Sequence, residues 1–212
     1  MGGVMSSIVV SGNTSGAITI AAPAVAGTNT LTLPASTGTV VLDTATQTLT
    51  NKTIQGGSIT QGTAVASTSG TSIDFTSIPS WVKRITVMFS GTSTNGVSPI
   101  MVQLGTSGGI QATSYSSGAS YQGATSAGLT NTTGFIIGAA VAAADATCGT
   151  MTFSSFGSNI WVESGVAATT TSNYTYLSGG SKSLGATLDR VRITTVNGTD
   201  TFDAGSINIL YE

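Results

Sequence analysis

Only 7% of the 212 residues are charged, six basic and eight acidic for a net charge of −2, against roughly 25% charged in a typical soluble domain. No basic stripe exists to follow a phosphate backbone, so nucleic acid is not expected as a partner. The absence of His and the single cysteine, Cys148, exclude Ser-His-Asp and Cys-His catalysis, an intrachain disulfide and a cysteine-ligated zinc.

Ser and Thr make up about a third of the chain, with 28 glycines and few Glu, Lys or Arg. Helix formers are scarce and β-branched residues abundant, which is an all-β composition. The N-terminus reads as lacking a secretory signal, because its apolar stretch is broken by Ser and Gly and has no basic flank. Met1-Gly2 to Ser6 fits a myristoylation pattern by chance, without the polybasic partner that a single acyl chain needs.

Short strands separated by Gly, Pro and Asn are expected at Ala17–Ile20, Thr30–Leu33 and Thr39–Leu42. Leu31/Leu33 and Val40/Leu42 alternate with neighbouring residues at the period of half-buried strands. No aromatic residue precedes Phe75, so these strands bury too little apolar area to offset the entropy of ordering them. Their core must be borrowed, most simply from other copies of the chain. Three chains wound about one axis would stack Leu31, Leu33, Val40, Leu42, Leu49 and Ile54 in a shared seam, with Thr and Ser outward.

From about Thr71 the residues are bulkier. The run Ser80–Phe89 predicts a strand with Ile85, Val87 and Phe89 on one face, and Ile100–Leu104 predicts the next. Ser107–Gly128 reads as a long Gly-Ser-Tyr loop. Further strands are expected at Gly134–Ala143, Thr150–Phe156, Asn159–Glu163, Asn173–Leu177, Leu188–Thr195 and Ser206–Tyr211. Asn197-Gly198 predicts a type I′ hairpin between the last two. The apolar run from Phe135 to Ala144 is about half the roughly 20 residues of a membrane helix, so no membrane insertion is expected. Strands and turns in this number match an antiparallel β-sandwich, jelly-roll-like, over 63–212, behind an extended β-rich arm over 1–62.

Chemistry is sparse. Gly105-Thr-Ser-Gly-Gly109 matches the nucleophile-elbow pattern but has neither a following helix nor a histidine. Asp200 and Asp203 form the nearest carboxylate pair, and they read as turn residues capping backbone amides. No catalytic residue, metal ligand or cofactor is expected. Among the aromatics, Trp161 reads as core, whereas Tyr115 and Tyr121, in the expected loop, are the candidates for glycan contact, ahead of Tyr174 and Tyr176.

The stretch LTLPASTGTVVL (Leu31–Leu42), followed closely by QTLTNKTI (Gln47–Ile54), resembles a sequence common in the slender trimeric shafts of bacteriophage tail fibres and other virion appendages. The ending Arg192–Tyr211 and the segment Ile78–Phe89 resemble β-sandwich tip domains of phage fibres. The resemblance implies a homotrimer located in the virion and assembled in the host cytoplasm. Its arm would bind other virion proteins, and its tip would be displayed toward host-surface glycan. A capsid decoration protein, with the same arm lying across the shell, is the second reading. A glycan-degrading tailspike is the third, weakened by the lack of a convincing acid pair.

Overall fold

β-Branched runs broken by glycine and asparagine become antiparallel strands in the computed structural model, which describes residues 7–11, 14–21, 25, 59–138, 142–143 and 145–212. The chain divides into two units, Met1–Thr53 and Ile54–Glu212. In the first, β1 (Ser7–Ser11) and β2 (Ala17–Ala21) form a hairpin with Ser7 opposite Ala21 and Ser11 opposite Ala17. The sequence signals β2; β1 holds only Ile8-Val9-Val10, too short a run to show a period. The expected strands at Thr30–Leu33 and Thr39–Leu42 lie outside the described residues. So do the seam residues Leu31, Leu33, Val40, Leu42, Leu49 and Ile54.

The second unit contains β3 (Thr60–Gln61), β4 (Val65–Ala66), β5 (Ser72–Phe75), β6 (Arg84–Thr94), β7 (Ile100–Thr106), β8 (Gly109–Ile110) and β9 (Tyr115–Gln122). It continues with β10 (Ser126–Asn131), β11 (Phe135–Ile136), β12 (Thr147–Gly157), β13 (Ile160–Thr169), β14 (Thr175–Ser183), β15 (Leu188–Thr195) and β16 (Phe202–Tyr211). A larger sheet runs β10-β9-β14-β13-β12-β6-β16-β3, with β4 also on β16. A smaller sheet runs β11-β7-β15-β5, with β8 on β7. Every pairing is antiparallel, and the described residues contain no helix. Thr60 and Gln61, on the arm side of the expected boundary at 62/63, pair with Tyr211 and Leu210.

Alternation sets the core. Ile85, Val87 and Phe89 are buried on β6, as are Met151 and Phe153 on β12 and Ile207 and Ile209 on β16. They join Ile73, Phe75, Val102, Leu104, Val191 and Ile193 of the smaller sheet in one cluster. Phe135 meets Phe153 edge-on with ring centres 5.4 Å apart. On the outer side of the smaller sheet, Arg192 forms a two-pronged bond to Asp74 across β15 and β5, at 2.7 Å for each prong. The inside-outside pattern expected for Asp189–Thr195 is present, with Val191 and Ile193 fully buried.

Three expectations need correction. Ser107–Gly128 is not a loop: it holds β8, β9 and the start of β10, whose Ser, Gly and Ala side chains pair well but carry no apolar alternation. In Gly134–Ala143 only Phe135–Ile136 is strand among the described residues. Asn197-Gly198 does not close a hairpin, because β15 and β16 belong to different sheets. Gly198 has φ +68° but Asn197 is not left-handed, which rules out type I′. Asn197 instead accepts from the amides of Thr199 and Asp200 and from the Thr195 hydroxyl, an Asx turn that carries the chain from one sheet to the other.

Candidate functional site

Tyr115, expected as a glycan contact, is a core residue at 3% exposure. Its hydroxyl accepts from the Leu104 amide at 2.8 Å and donates to the Leu104 carbonyl at 3.2 Å. Its ring stands edge-on to Phe135 at 5.0 Å, and burial pushes the phenol up to about 12. The Lys182 ammonium lies 5.1 Å from the ring centre and donates to the Thr113 carbonyl. Tyr115 thus ties β9 to the smaller sheet and has no face for a ligand. Tyr121 is half-buried and packs edge-on against Tyr174 at 5.4 Å. Trp161 is core, as expected.

The described carboxylates all have structural partners. Asp74 holds Arg192, Asp189 holds Arg190 and Glu212 holds Arg84. Asp145 accepts from Ser172, Glu163 from Ser178 and Asp203 from Ser93. Asp200 accepts from the Ser98 amide and the Asn197 side chain, the capping role expected of it. Gly105–Gly109, the apparent nucleophile elbow, is the β7–β8 turn, with the Gly108 amide donating to the Thr106 hydroxyl. Among the described residues, no three Cys, His, Asp or Glu gather to hold a metal.

Two buried polar places are notable. Asp145 and Tyr176 line a cavity of about 20 Å³ together with Thr94, Thr147 and Thr169. One Asp145 oxygen and the Tyr176 hydroxyl lack a partner there. Burial, and then the Asp145 charge, push the Tyr176 phenol up to about 12. The second place is Glu163, whose Oε2 is also unpartnered. Burial pushes its carboxyl up to about 7, opposed by the Ser178 hydroxyl.

The open site is a groove of about 180 Å³ at the end of the larger sheet, lined by Ile59, Arg84, Thr86, Thr152, Leu210, Tyr211 and Glu212. Pairing of β16 with β6 sets Leu210 beside Thr86 and Tyr211 beside Ile85. Reciprocal backbone bonds between Arg84 and Glu212, at 2.8 and 2.9 Å, hold their ion-paired side chains at the rim. Trp81, just before β6, is 54% exposed and rests against Tyr211 at 5.9 Å. The Thr86 and Thr152 hydroxyls are 3.5 Å apart within the groove. Tyr211 pairs with the buried Ile85, so its ring and the Trp81 indole beside it lie on the other side of the sheet from Thr86, Thr152 and Leu210; the exposed indole by itself suits the flat apolar face of a hydroxyl-rich ligand. Sequence reasoning passed over Trp81 because it sits inside a predicted strand; its place beside Pro79, in a turn, was the available signal.

Comparison with protein-family models, with curated proteins and with solved structures finds no match.

Proposed function

We propose that this is a structural protein of a bacteriophage virion, a short homotrimeric fibre. Residues 1–62 would anchor it to other virion proteins and trimerise through Leu31, Leu33, Val40, Leu42, Leu49 and Ile54. The jelly-roll-like body is displayed, a reading supported by β5, β6 and β7, and again β14, β15 and β16, alternating between the sheets. Contact with host-surface glycan falls to the exposed Trp81 indole, not to Tyr115. The observation that carries a binding rather than a catalytic role is the engagement of Asp74, Asp145, Glu163, Asp189, Asp200, Asp203 and Glu212 in structural bonds.

Trp81→Ala tests this contact. The side chain is mostly in water, so the fold should survive, while binding of purified host-surface polysaccharide should weaken about tenfold or more, the worth of roughly 1.4 kcal/mol. Unchanged binding by the folded variant rejects the indole as the contact. Turnover of the polysaccharide by the wild type rejects the non-enzymatic reading.

A further inference from the structure

Thr94 ends β6, Thr147 opens β12, Thr169 ends β13 and Tyr176 stands second in β14. These four strands are neighbours in the larger sheet, and their antiparallel pairing gathers the four hydroxyl-bearing residues around the cavity of about 20 Å³. Asp145, just before β12, joins them, and its Oδ1 accepts from the Ser172 hydroxyl at 2.7 Å. Its Oδ2 and the Tyr176 hydroxyl have no partner among the described residues, although the two residues are only 6% and 2% exposed. They are close enough for the Asp145 charge to add to burial in raising the phenol. Thr94 donates its one hydroxyl proton to the Gly96 carbonyl at 3.3 Å, so only lone pairs remain to it. None of the described residues lining the cavity is basic. A buried carboxylate with neither a cation nor a full set of hydrogen bonds is costly.

We infer that this cavity binds one monovalent cation of the size of Na⁺, with Asp145 as its counter-charge and the surrounding hydroxyls as neutral ligands. The space admits a single water-sized body. One carboxylate balances one positive charge, whereas Ca²⁺ sites draw on several carboxylates and a larger oxygen shell. Among the described residues no three Asp or Glu gather to supply them. The polar side chains lining the cavity offer oxygen alone, which does not suit metals that prefer nitrogen or sulfur. A water molecule would fill the space and leave the charge of Asp145 unbalanced. The cation balances it, and so fastens the segment before β12 to the ends of four strands.

The test is thermal unfolding of the full chain in sodium chloride and in choline chloride at equal concentration, since choline is too large to enter. The melting temperature should be higher in sodium chloride, by about 3 °C or more once the ion reaches about ten times its dissociation constant. Asp145→Asn keeps the shape of the side chain and removes its charge, and it should abolish the difference between the salts. Tyr176→Phe keeps the ring and removes one oxygen, and it should shrink the difference; this variant carries the test if Asp145→Asn does not fold. Equal melting temperatures of the wild type in the two salts overturn the inference and assign the cavity to water. A sodium effect that both folded variants retain in full places the ion elsewhere and overturns it too. Stabilisation by calcium chloride and not by sodium chloride overturns the monovalent assignment.

Discussion

At the scale of the residue, Glu163 makes the firmest prediction. Its folded carboxyl is raised to about 7 from an ordinary value of 4.5, mainly by burial. The protonated form is therefore favoured in the folded state. Stability is full below about pH 4.5 and falls as pH rises through about 7, by on the order of 3 kcal/mol. The chain has no histidine, so the window between pH 5 and 8 has few other titrating groups to obscure the effect. Urea denaturation at pH 5 and pH 8 should show the loss, and Glu163→Gln should flatten it. A wild type equally stable at both values would contradict this assignment. Nothing in the sequence marked Glu163. It is a charge among Val162, Ser164 and Gly165, and only its alternation with Trp161 placed it on the inner face. Tyr115 was misread for the complementary reason: Ser and Gly neighbours suggest solvent, yet those small residues are what let the ring pack beneath β9.

At the scale of the element, glycine geometry decides where strands bend. Gly205 sits in a register shift of β16 against β6, between Ala204 and Ser206, with φ +86°, and an added Cβ would lie 2.3 Å from the Gly91 carbonyl oxygen. Gly205→Ala should cost about 2 kcal/mol or more, from strain and from the contact with backbone that cannot yield. Gly157→Ala meets no atom within 4 Å and bears only its φ of +109°, so it should cost less. Chemical denaturation of the two variants side by side checks the order. Strands with bulky alternation, such as β6, β7 and β15, were legible in the sequence because packing and propensity agree there. The small-residue strands β9 and β10 were not, since their pairing relies on backbone bonds and neighbouring strands rather than on side-chain pattern. Asn197-Gly198 signalled a turn correctly and a hairpin wrongly. The choice between returning along one sheet and crossing to the other is made by β7 and β5, which flank β15 from far away in sequence.

At the scale of the whole molecule, the all-β class and the antiparallel pairing were legible in the sequence, because composition and alternation act everywhere at once. The groove was hidden, as it gathers Ile59, Arg84, Thr152 and Tyr211 from four separate stretches. The core tolerates little loss: Phe153 is fully buried against Phe135, and Phe153→Ala should cost about 3–5 kcal/mol, read as a lowered urea midpoint. The most direct measurement is immunogold electron microscopy of purified phage particles, using antibody raised against residues 59–212. Label on a projecting appendage is the predicted result. Label over the head shell, or absence of the protein from purified particles, would contradict the fibre.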